Sequence, residues 1–150
     1  MTRLFAAVVM SVLALPVWAG NDDIIKVKAA GNVATTMDNL EAAVTGAGAK
    51  VFARVDHGAG AAKVGMELGD AQVLIFGNPK LGTPALQDDP LAGLFLPLRV
   101  LVYQDGAGQT WLAYHDPKEM FEHLAISPEA GYIAKMTGAL GKLTGKASGM

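Results

Sequence analysis

The sequence predicts an α/β (α+β) two-layer sandwich: a mixed sheet of about five strands carrying helices, with a hairpin in the C-terminal half and a terminal helix. Three observations lead there. Strand-like and helix-like segments alternate through the first half of the chain. Two β-rich runs, residues 96–103 and 109–115, are joined through "QDGAGQ", the clearest hairpin signal present. Finally, Ile133, Met136, Leu140 and Leu143 recur at helical spacing near the end.

The elements follow in order. "DDIIKVKAA" reads as a first strand punctuated by Gly31-Asn32. Val33, Met37, Leu40 and Val44 then form one apolar helical stripe that ends in the glycines of "TGAGA". In "KVFARVDH" the alternation puts Val51, Ala53 and Val55 on one side and Arg54 and Asp56 on the other, as in a half-buried strand. "GAGAAKVGMEL", residues 58–68, has the length and small residues of a helix packed close to a sheet, although its three glycines weaken it. "AQVLIF" is almost continuously apolar, as expected of a central strand covered on both faces. After the hairpin, "MFEHLAI" suggests a satellite helical turn. Ser127-Pro128-Glu129 supplies a capping hydroxyl, a proline and a carboxylate for the start of the last helix, whose Gly/Lys/Ser tail is expected to fray.

The first residues bound where the protein works. A cation at Arg3, an apolar run from Leu4 to Val17 and Val-Trp-Ala before Gly20 have the layout of a secretory signal peptide. The run is shorter than the roughly 20 residues a spanning helix needs. Cleavage after Ala19 is expected, leaving one domain, residues 20–150, that is exported to the periplasm or secreted, with no later membrane span. Arg3 is the only charged residue removed, so 11 cations would face 14 acids, a net charge of −3 that argues against nucleic acid as a partner. The absence of cysteine excludes disulfides, thiolate metal sites and thiol catalysis.

The polar residues set out the candidate sites. If the strands at residues 50–57 and 71–76 run parallel, joined by the helix between them, both carboxyl ends fall on one edge of the sheet. Asp56, His57, Asn78, Lys80 and Thr83 then form one cluster, with Lys80 and Thr83 suited to a small anionic ligand. The competing reading is structural and stands ahead of it: Asn-Pro and Gly-Thr-Pro are ordinary turn chemistry, and Asp56 is placed to cap the helix that follows. Arg99, flanked by Leu98 and Val100, needs a carboxylate partner, solvent or a pocket. His115 and His123 with Asp116 and Glu122 match no familiar zinc spacing; exposed loop histidines are expected, with no metal and no cofactor. If the strand from Leu96 is parallel to its neighbours, His115 stands at the edge opposite His57. Tyr103, Trp111 and Tyr114 are expected to serve core and cross-strand packing.

The runs "FARVDHGAGAAKVGMEL", "LIFGNPKLGTPALQ" and "LFLPLRVLVYQDGAGQTWLAYHDP" resemble the domain of unknown function 302 family, in order and in gaps, over about residues 51–117. The FGNPK-x-GTP run, residues 76–84, is the most specific part. The resemblance implies a compact α/β domain, often the sole domain of small bacterial proteins, and supplies no established activity, so no catalytic residue carries across. The leading functional expectation is a non-enzymatic, exported small-ligand-binding or interaction domain. The alternatives are a hydrolase or isomerase with His57 as general base oriented by Asp56, and a structural homodimer built on the sheet edge or the last helix.

Overall fold

A computed structural model describes residues 23–150; the expected signal peptide lies outside them. Five strands, β1 (Ile24–Lys28), β2 (Lys50–Asp56), β3 (Ala71–Gly77), β4 (Leu98–Gln104) and β5 (Thr110–His115), form one sheet in the order β1-β5-β4-β3-β2. The helices are α1 (Val33–Gly46), α2 (His57–Lys63), α3 (Pro79–Asp88), α4 (Pro117–Met120) and α5 (Gly131–Ser148), with a 3-10 turn at Pro90–Leu94.

Every neighbouring pair of strands is antiparallel. This corrects the expected mixed sheet. The seven-residue α2 stops before Gly65, whose φ of +72° ends the helix, and β3 begins at the end of the sheet where β2 finishes, running back alongside it with Asp56 opposite Gln72 and Lys50 opposite Gly77.

The α1 stripe of Val33, Met37, Leu40 and Val44 is buried, and Asn32 caps the helix by accepting from the Thr35 amide at 2.9 Å. The α5 stripe of Ile133, Met136, Leu140 and Leu143 is buried beside it. Both helices cover one face of the sheet, where they meet Leu74, Phe76, Val100, Val102 and Leu112. The α5 helix begins at Gly131, after a turn in which the Ala130 amide donates to the Ser127 carbonyl. Its tail does not fray: Ala147 and Ser148 are buried, and the Ala30 amide donates to the Ser148 carbonyl at 2.9 Å.

Among the described residues, no helix covers the other face of the sheet. Val73 and Ile75 of β3 are only half-buried, so this central strand is covered on one face rather than on both. The β2 alternation also departs from expectation. The register shifts between Val51 and Ala53, a bulge at Phe52, so Val51 lies opposite Phe76 and joins the core while Ala53 and Val55 turn to the open face opposite Ile75 and Val73. Arg54 stays on the helix face. Its guanidinium donates to Gln72 Oε1 at 2.8 Å and Asp38 Oδ1 at 2.6 Å, tying β2 to β3 and α1. No residue of α2 is buried, against the expectation of a helix packed close to the sheet.

Candidate functional site

At the end of β3 the chain turns through Asn78 into α3. The Asn78 side chain accepts from the Lys80 amide at 3.0 Å, and Pro79 occupies the first helical turn, where its missing N–H costs nothing. The polar turn is thus a helix start. Lys80 and Thr83 are exposed.

His57 lies at the other end of the sheet. Because β2 and β3 are antiparallel, the carboxyl end of β2 meets the beginning of β3, a full strand length from Asn78. The expected cluster of Asp56, His57, Asn78, Lys80 and Thr83 is therefore divided between two edges. Asp56 caps α2, its Oδ1 accepting from the Ala59 amide at 2.8 Å and its Oδ2 from Gln72 at 3.3 Å. His57 is the first residue of α2 and is exposed.

What the turn adjoins is apolar. A cavity of about 330 Å³ opens between the end of the sheet, α3, α5 and the segment before β4. Among the described residues, Phe52, Phe76, Leu81, Leu86, Leu96, Pro97, Leu98, Met136 and Leu143 supply its walls, and Asn78 and Thr83 its only polar side chains. Not one lining residue is ionisable. The bulge delivers Phe52 to this wall, where it is 51% exposed although aromatic. Phe52 and Pro97 both pack at Gly77: a Cβ there would stand 3.4 Å from Phe52 Cε2 and 3.6 Å from Pro97 Cβ, ordinary packing distances.

A second cavity, of about 580 Å³, brings His115, His123 and Glu122, which the sequence grouped with Asp116, together with Arg99, Asp23 and Glu119. His115 stands 3.8 Å from Asp23 and His123 3.0 Å from Glu122; the Arg99 guanidinium donates to the Leu94 carbonyl at 3.2 Å. His115 is at the sheet end opposite His57, although β4 is antiparallel to its neighbours rather than parallel. Among the described residues no group of three or more His, Asp or Glu side chains is placed to hold a metal ion.

Elsewhere the carboxylates organise turns. Asp105 accepts from the Ala107 and Gln109 amides, each at 2.9 Å, and from the Trp111 indole at 2.8 Å. The indole N–H above all, with those amides and the charge of Lys28, holds its carboxyl below the usual range. Asp89 is lowered likewise, chiefly by the Ala125 amide, which pins the segment after α4 to the end of α3. The Tyr132 hydroxyl is pushed up to about 12, first by burial and then by donating to Asp88 at 2.7 Å.

The sequence matches the model of the family described as "Domain of unknown function DUF302" over residues 25–143, most of the chain. The chain belongs to the DUF302 family. Its fold resembles the crystal structure of an uncharacterized conserved DUF302 protein from Bacillus stearothermophilus, with a TM-score of 0.76 over 84% of this chain and 98% of that one, at 19% identity. Curated relatives named "Fluoride-specific ion channel FluC 1" from Brucella suis and Brucella abortus are each 38% identical to this DUF302 chain over 128 residues, 84% of its length. The match takes in 50% and 47% of those proteins, so the chain spans about half their length. No helix of the described residues is long and apolar enough to cross a membrane.

Proposed function

We propose that this DUF302 protein is an exported, non-enzymatic binding domain that takes a small, predominantly apolar ligand in the cavity beside the Asn78 turn. The observation that carries the reading is the lining: a 330 Å³ space walled by aliphatic and aromatic side chains, with an amide and a hydroxyl at its rim and no ionisable group. At the ~30 Å³ that a water takes up in the liquid, it has room for roughly ten non-hydrogen atoms. General acid-base chemistry needs a titratable group within hydrogen-bond reach of the reacting atom, and this cavity offers none. An anion drawn by Lys80 would find no cation in the lining, so the ligand is assigned an apolar body rather than a charge. Recurrence of the domain as about half of longer relatives supports a portable module. Export rests on the Arg3 and Leu4–Val17 pattern.

The test uses 1-octanol and inorganic phosphate as probes, followed by amide chemical shifts and melting temperature. Octanol is expected to move the amides of Gly77, Leu81 and Gly82 and to raise the melting temperature; phosphate is expected to do neither. Ala139→Phe, which fills the space from α5, should weaken octanol binding by about tenfold or more while the protein stays folded. Octanol that leaves those amides unmoved, or that binds the filled variant as tightly, would overturn the assignment.

A further inference from the structure

We propose that the helix-free face of the sheet is the interface of a twofold dimer, two copies of the protein stacking their sheets face to face. The strand registers define that face. Val55, Val73, Leu101 and Ala113 form one row across β2, β3, β4 and β5, and Tyr103 and Trp111 lie beside it. Of these six, Ala113 alone counts as buried, at 9% exposure, so the protein folds with a broad apolar surface still in water. The α5 stripe is consumed by the core.

The area suits a second copy. Five strands at about 4.8 Å spacing and about 20 Å in length present roughly 480 Å² in plan. Two such faces approach the ~1,000 Å² that a specific interface needs before side-chain relief is counted. Stacked sheets sit about 10 Å apart, the distance at which side chains of these sizes interdigitate.

Charge selects the same occupant. Lys26 and Lys28 stand exposed on the outer strand β1, with Asp105 holding the Trp111 indole within the field of Lys28, while Arg99 and His115 stand at one end of β4 and β5, His115 beside Asp23. Arg99 is drawn off that end by its bond to Leu94. The segment between α2 and β3, at the outer corner where β2 ends and β3 begins, carries the exposed acids Glu67 and Asp70. A twofold axis parallel to β4 lays β1 of one copy over β2 of its partner with the strand ends in the same sense. Lys26 and Lys28 of each copy then face the acidic corner of the other, and the contact is made twice. An anionic lipid surface would attract the lysines but meet that corner with like charge.

Sedimentation equilibrium of the purified protein, from a few to about 100 µM, reads the outcome directly. A dimer is expected. Leu101→Asp should weaken it by about 100-fold or more with the circular dichroism spectrum unchanged, since the residue contacts no helix. Lys26→Glu with Lys28→Glu should weaken it by about tenfold, and adding Glu67→Lys and Asp70→Lys to the same chain should restore it. A wild-type protein that stays monomeric throughout, whether or not it floats with phosphatidylglycerol vesicles, overturns the proposal. So does a dimer that survives Leu101→Asp. None of these results depends on the cavity, so they fail or succeed independently of the ligand reading.

Discussion

Asn78→Ala removes the one side-chain acceptor at the start of α3 and separates a corner from a site. In the folded protein Asn78 Oδ1 takes the Lys80 amide at 3.0 Å. Truncation leaves that amide to water and should cost about 1 kcal/mol, the usual worth of such a cap. The described part of the chain has 128 residues, and at about 2.1 cal/mol/K per residue its unfolding entropy is about 270 cal/mol/K. A loss of about 1 kcal/mol therefore lowers the melting temperature by about 4 °C. Asn78→Asp keeps the acceptor and adds a negative charge where the helix dipole favours one, so it should melt at or above the wild-type temperature. Differential scanning calorimetry on the three proteins, with octanol titrations alongside, gives the answer. If Asn78→Ala melted like the wild type while octanol affinity collapsed, the capping argument would be refuted and Asn78 would be a ligand-contacting residue.

Two further outcomes follow from the same geometry. In α5, a Cβ added at Gly138, Gly141 or Gly145 would meet nothing within 4 Å. Replacing all three by alanine removes backbone freedom from the unfolded chain and should stabilise by about 2 kcal/mol, about 7 °C in melting temperature; no gain would mean that these positions are covered by something. The Asp105 carboxyl, depressed by the Trp111 indole and by backbone amides, contributes stability that is present above the unfolded carboxylate value, about pH 4. It is lost as pH falls through the lower folded value. Asp105→Asn should therefore melt below the wild type near neutral pH by a margin that shrinks on acidification through about pH 4; a margin independent of pH would show that the charge is not what Trp111 and the amides bind.

Much of the fold was legible because periodicity records burial. The stripes of α1 and α5 became the core residue for residue, and the hairpin signal became β4 and β5 within two residues at each end. The failures share a cause: each depended on how far a segment extends or which side it turns to, which composition does not encode. An eleven-residue helix over residues 58–68 would have been long enough to suggest a crossover; the seven-residue α2 ends before Gly65, whose φ of +72° breaks the helix. The bulge at Phe52 left no trace in the alternation of "KVFARVD", yet it reverses the faces of Ala53 and Val55. Phe52, Leu86, Leu96 and Met136 meet in one cavity from segments as much as 84 positions apart, and each looks like an ordinary core residue in its own segment.

The Asn78 turn shows why corner and site are not exclusive readings. Its polar atoms are spent on starting α3, and that start fixes the direction in which the helix leaves the sheet. Direction decides where Leu81 and Leu86 fall, and these residues form one wall of the cavity whose other walls come from β2, the segment before β4 and α5. Phe52 and Pro97 pack at Gly77 on the remaining side. Polar residues of the turn thus start the helix while Asn78 and Thr83 also stand in the lining of the cavity. Under the proposed ligand reading, the motif contributes Phe76, Pro79 and Leu81 to the apolar wall, and Phe52, Leu86 and Met136 complete it from outside the motif.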